Sequence, residues 1–99
     1  MDAKTKVVFW LLNATKGGPT RIRLLEKLVQ KPRNIRQLAI ACSVDYKTAQ
    51  AHVELLLKNG ILDSMGKKYG SIYFISSEYE GNGLLGELLG GEKNAEEKK

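Results

Sequence analysis

The chain has one cysteine, Cys42, and one histidine, His52. A single copy therefore forms no internal disulfide and supplies no Cys/His metal cluster. Such sparing use of cysteine fits a reducing, cytoplasmic setting. Long hydrophobic runs are also missing. The richest near the start, VVFWLL at Val7 to Leu12, falls well short of the roughly 18 residues that span a bilayer. Lys4 and Lys6 precede it as the charged flank of a signal peptide would, but the run is short for that role and no small-residue cleavage site follows cleanly. An amphipathic or buried N-terminal helix is the simpler reading. No nucleophile stands with a base, no glycine loop is built to cradle phosphate, and no paired carboxylates form a recognisable site. The expectation is a non-enzyme with no cofactor, no metal and no membrane partner.

What is present is one small domain's worth of chain, 99 residues with 42% apolar content. Domains of this size bury a modest fraction of their surface, so association with a second copy helps them. Net charge is +5, and its distribution is informative. The first forty residues hold nine Lys or Arg (Lys4, Lys6, Lys16, Arg21, Arg23, Lys27, Lys31, Arg33, Arg36) against Asp2 and Glu26, whereas the remainder is nearly balanced. A basic segment joined to a near-neutral one suits a polyanion such as nucleic acid, or simply a solubilising surface.

Residues 3–15 read as a helix with Val7, Val8, Leu11 and Leu12 on one stripe and Trp10 beside it. KGGP, Lys16 to Pro19, breaks it. A second helix is expected from Thr20, as cap, to Lys31, with Ile22, Leu25, Leu28 and Val29 inward and Leu24 alongside; Pro32 ends it. Asn34 with Gln37 forms a box-like start for a short helix to Cys42. Ser43 to Asp45 is a turn, and Asp45 caps a helix over 45–59 whose buried stripe is Ala49, Val53, Leu56 and Leu57. Gly60 closes it. ILDSM and SIYFIS then read as two strands around GKKYG, Gly66 to Gly70, a hairpin tip with a charged end. Residues 1–80 are thus expected to form one domain. Residues 81–99 follow as an apolar segment, with Leu84, Leu85, Leu88 and Leu89 at helical spacing, and a charged tail expected to be disordered.

Short helix, tight turn, helix and hairpin make a winged helix-turn-helix: a mainly α fold with a small β-hairpin (α+β), plus an extra N-terminal helix and a possible C-terminal one. This arrangement accounts for a peculiarity of the 45–59 helix, which is polar in its first two turns and leucine-rich in its last two. In such a motif the first turns of the second helix enter the major groove, and later turns pack on the core. The exposed face by spacing is Tyr46, Lys47, Gln50, Ala51 and Glu54. Lys47 suits a phosphate or guanine edge, Gln50 an adenine edge or phosphate, and Ala51 a thymine methyl or a close backbone approach. Thr48 suits a phosphate contact or a cap. Lys67, Lys68 and Tyr69 suit phosphate or minor-groove contact at the wing. Arg33, Asn34 and Arg36, at the start of the short helix, suit further phosphates. Arg21 and Arg23 are set aside, since the core helix can turn them away.

The stretch LAIACSVDYKTAQAHVELLLKNGIL, with GGPTRIRLLEKLVQKPRN upstream and YGSIYFIS downstream, resembles archaeal ArsR-type and related winged-helix transcription regulators over residues 10–77 or so. The resemblance implies a DNA-binding regulator that dimerises. Three departures stand out. Ser43 occupies a turn position where glycine is usual, which implies a strained or less left-handed turn. Ala49 replaces the usual valine. Cys42 stands alone at the family's apolar position rather than in a Cys-x-Cys pair, which implies that metal sensing is lost.

The two terminal stripes have three readings: packing on their own domain, pairing across a dimer, or binding another protein. A homodimer is the expectation, with Val7, Trp10, Leu11, Leu84, Leu85 and Leu88 at its interface. As for function, a sequence-specific double-stranded-DNA-binding transcriptional regulator leads. The alternatives are a winged-helix protein–protein adaptor and a low-specificity architectural chromatin protein. An adaptor needs neither the basic N-terminal part nor a Lys-Lys-Tyr tip, and the near-neutral 45–59 helix suits pure charge binding poorly.

Overall fold

The computed structural model describes residues 1–66 and 70–90. Helix α1, Ala3–Asn13, starts where the Asp2 carboxylate accepts a 2.7 Å hydrogen bond from the Thr5 N–H, which satisfies one of the orphan donors of a helix start. It buries Val8, Leu11 and Leu12. Helix α2 spans Gly18–Gln30 with Gly17 as its cap, three residues earlier than Thr20 as a cap would put it. Pro19 belongs to the first turn, where a missing N–H costs nothing. The early start lets α2 cross α1 closely: a Cβ on Gly18 would fall 2.2 Å from the Leu12 carbonyl oxygen. The same placement sets which face of α2 is inward. Leu24, Leu25 and Leu28 are buried while Val29 is 59% exposed, so Val29 leaves the expected stripe and Leu24 joins it.

Helix α3, Ile35–Cys42, carries the full capping box: Asn34 Oδ1 accepts from the Gln37 N–H at 2.8 Å, and Gln37 Oε1 accepts from the Asn34 N–H at 2.9 Å. Ser43 then takes the left-handed conformation, φ 56, and the Val44 N–H reaches the Ala39 carbonyl at 3.0 Å, a Schellman-type close. The turn is therefore left-handed despite lacking glycine. Helix α4, Tyr46–Lys58, starts on Asp45, whose carboxylate accepts from the Thr48 N–H at 2.7 Å. It ends at Gly60, φ 79.

Strands β1, Leu62–Met65, and β2, Ile72–Ile75, pair antiparallel with Leu62 opposite Ile75 and Met65 opposite Ile72. Arg33 adds a one-residue third strand: its N–H and carbonyl bond Tyr73 at 3.2 and 2.8 Å. The base of the hairpin is fastened to the end of α4, because the Ser76 hydroxyl donates to the Gly60 carbonyl at 2.7 Å and the Ser76 N–H to Ile61 at 2.9 Å. The chain finishes on α5, Gly83–Leu88, capped by Asn82, whose amide also donates to the Thr5 hydroxyl of α1 at 3.2 Å. α5 packs on α1, and Leu85 joins the core. Leu11 and Leu85, expected at a partner surface, thus lie inside the chain's own core at 4% and 3% exposure. The architecture is a winged helix-turn-helix with an additional helix at each end. The expected disordered tail, residues 92–99, lies outside the described residues.

Candidate nucleic-acid interface

The α3–turn–α4 unit is held rigidly by its two caps, so the first turns of α4 have a defined direction. Tyr46, Lys47, Ala51 and Glu54 are exposed, Thr48 and Gln50 are half-buried, and Ala49, Val53 and Leu56 are buried. Helical spacing gives most of this division, but Gln50, expected exposed, and Leu57, expected in the buried stripe, are both half-buried. The outward face offers a phenol, an ammonium, an amide and one small side chain within two turns. That set can donate and accept at base edges. Hydrogen bonding from Thr48, through its side chain first and its backbone second, holds the Asp45 carboxyl below the usual range. Asp45 therefore stays ionised, and Thr48 is engaged with the cap.

Other sequence candidates fare differently. The Asn34 side chain is consumed by the capping box. The Arg33 guanidinium donates to the Lys27 carbonyl at 3.2 Å and the Gln30 amide oxygen at 2.9 Å, so it closes the end of α2. Arg36 is exposed on α3. Arg23 donates to the Cys42 carbonyl. Lys67, Lys68 and Tyr69, the wing-tip candidates, lie outside the described residues.

Cys42 is 1% exposed, and burial pushes its thiol up against the lowering influence of Arg23, Lys27 and Arg33. It is a small apolar core residue, not a thiolate ligand. Among the described residues no group of three His, Cys, Asp or Glu side chains could hold a metal ion. No described helix is long and apolar enough to cross a membrane. A cleft of about 740 Å³ opens between the end of α2, the hairpin and α5, lined by residues such as Leu28, Val29, Met65, Phe74 and Leu89; α4 contributes nothing to its lining.

Arg21 was not singled out by sequence reasoning as structural, yet it is 8% exposed. Its Nη1 donates to the Leu11 carbonyl at 2.6 Å and the Thr15 hydroxyl at 2.8 Å. The signal was available in the spacing: positions 21, 24, 25 and 28 form one i, i+3, i+4, i+7 stripe, with arginine at its first position.

No protein-family model and no curated protein matches the chain. Solved structures do. The transcriptional repressor BigR from Xylella fastidiosa superposes with a TM-score of 0.72 at 18% identity, covering 97% of this chain and 89% of that one. A homodimeric winged helix-turn-helix DNA-binding domain from Mycobacterium bovis, described as a possible ArsR-family transcriptional regulator, gives 0.64 at 19%, covering 99% and 89%. Reduced HlyU from Vibrio cholerae gives 0.67 at 19%, covering 90% and 88%. At such identities the likeness is one of fold.

Proposed function

We propose that this chain is a sequence-specific double-stranded-DNA-binding transcriptional regulator of ArsR-like type that works as a homodimer. The observation that carries the reading is the two-sided α4. Its exposed Tyr46, Lys47 and Ala51, with Gln50 half-buried beside them, are presented by a doubly capped turn, and its inward Ala49, Val53 and Leu56 lock it to the core. A protein-binding adaptor gains nothing from hydrogen-bonding side chains concentrated in the first two turns of this helix. The likeness to a repressor and to a DNA-binding domain supports the same reading. Lys47 and Gln50 read base edges, Tyr46 and Ala51 shape the contact, and Arg36 with Lys67, Lys68 and Tyr69 holds the backbone on either side.

Dimerisation follows from α1. Phe9 and Trp10 are 44% and 61% exposed on the helix that α5 braces from another side. Burying a two-fold pair of such aromatics gives a symmetric partner surface, and two half-sites one helical turn apart suit it. The test is duplex binding as a function of salt. A regulator's affinity falls steeply as log salt rises, with a slope set by the phosphates neutralised. An adaptor shows no duplex binding at all.

A further inference from the structure

The turn between α1 and α2 meets the middle of α4 through three residues. A Cβ on Gly17 would stand 2.8 Å from Arg21 Nη2 and 2.9 Å from His52 Cε1. The guanidinium of α2 and the imidazole of α4 are therefore neighbours, and both press on a backbone that only glycine leaves bare. His52 follows Gln50 and Ala51 directly, so what seats His52 contributes, with the core contacts of Ala49, Val53 and Leu56, to the height and rotation of the reading face.

We infer that Gly17, Arg21 and His52 form a latch seating α4, so that His52 is a positioning residue for DNA reading whose protonation loosens the reading helix. This inference rests on the proposed DNA-binding function. Arg21 is already a costly cation. It is nearly buried; among the described residues its Nε meets no partner, and its charge is met by a carbonyl and a hydroxyl and by no carboxylate. A second positive charge beside it has nowhere to go but away, since like charges at short range in a partly buried site repel strongly.

The charged residues on the elements around His52 are Lys16 in the turn, Arg21, Arg23, Glu26 and Lys27 on α2, Arg36 on α3 and Asp63 on β1. Of these only Arg21 acts on the ring, and it acts in the same sense as burial, against protonation. On α4 itself the positions three and four residues away are Thr48, Ala49, Leu55 and Leu56, which offer the imidazolium no counter-ion.

The latch has a sign that separates it from a phosphate contact. A histidine touching phosphate gains a partner on binding, so acid strengthens DNA binding and DNA raises the imidazole pKa. A latched histidine must be neutral in the bound state, so acid weakens binding and DNA lowers the pKa; linkage makes the two observations equivalent. His52 is the chain's one histidine, so its ring signals in NMR need no assignment mutants.

The experiment titrates those signals in the full chain, free and bound to a selected duplex, and follows duplex affinity by anisotropy from pH 7.5 to 5.5 at constant salt. The expected result is a His52 pKa below about 6.5 in the free chain and lower still on DNA. Affinity should fall several-fold on acidification, bounded at about tenfold for each unit by which the two pKa values differ. His52→Gln, which keeps the shape and cannot be protonated at these pH values, should flatten the pH profile whatever its affinity at pH 7.5. A pKa raised by DNA, an affinity that rises in acid, or a wild-type profile as flat as that of the variant would each overturn the latch. Absence of duplex binding at every pH would instead overturn the DNA-binding function, and the free-chain titration would still read the Arg21–His52 contact.

Discussion

Ser43 is the residue where local cost is easiest to see. It holds φ 56 at the α3–α4 turn, a conformation that costs a non-glycine residue about 1 kcal/mol or more. Ser43→Gly relieves that cost and gives back part of it as extra freedom in the unfolded chain. A net gain of about 0.5–1 kcal/mol should appear as a higher denaturation midpoint with unchanged slope. Ser43→Val should lose stability. Gly18 is the opposite case, since its missing Cβ is a packing requirement. Gly18→Ala places that atom against the Leu12 carbonyl, and a loss of about 1–3 kcal/mol should follow in the same assay.

His52 adds a pH dependence of stability itself. Its folded pKa is depressed by burial and then by Arg21, so the unfolded chain takes up the proton first. Its contribution is complete above about pH 6.5 and is lost as pH falls from there through the folded value. Urea midpoints of wild type and His52→Gln should converge in slope above that pH and diverge below it. The Asp2 and Asp45 caps, with carboxyls held down by Thr5 and Thr48, lose their contribution at lower pH, below about 4.

Among the elements, the capped ones were plain in the sequence and the oriented ones were not. Asn34 with Gln37, Asp45 and Gly60 are local signals whose partners lie within a few residues, so α3 and α4 read correctly to within one residue. Asn34→Ala should cost about 1 kcal/mol for that reason. The strands also stood close to where alternation put them. The inward face of α2 was not legible, because it depends on how Gly18 seats the helix against Leu12, a contact between helices. Val29 and Leu24 exchanged roles on that account, and Arg21 proved to be buried. The candidate interface divides the same way. The α4 face follows mostly from periodicity. By contrast, the engagement of Arg33 in internal hydrogen bonds could be seen only once the end of α2 and the bridge to Tyr73 were placed together, whereas that of Asn34 was already implicit in its box-like pairing with Gln37. Lys67→Ala with Lys68→Ala should lower affinity for operator and random duplex about equally, and should flatten the salt slope by about one unit for each phosphate no longer neutralised.

For the whole molecule, the α1–α5 pairing buries Leu11 and Leu85 and leaves Phe9 and Trp10 outside. The homodimer should therefore use the outer face of α1, with Val7, Leu84 and Leu88 half-buried at its edges. Light scattering at tens of micromolar should give twice the 11.0 kDa chain mass, and Trp10→Glu should return it to one chain while helix content stays unchanged. A monomeric wild type would remove the two-fold reading of DNA. Base reading by α4 is tested most directly by an anisotropy titration of Gln50→Ala against a selected duplex and a random one at the same salt. A good bidentate base contact discriminates by about 1–3 kcal/mol. The variant should therefore bind the selected duplex about fivefold or more weakly, with random-duplex affinity nearly unchanged. An equal fall on both, or no change on either, would contradict base reading by α4 and favour the architectural or adaptor role.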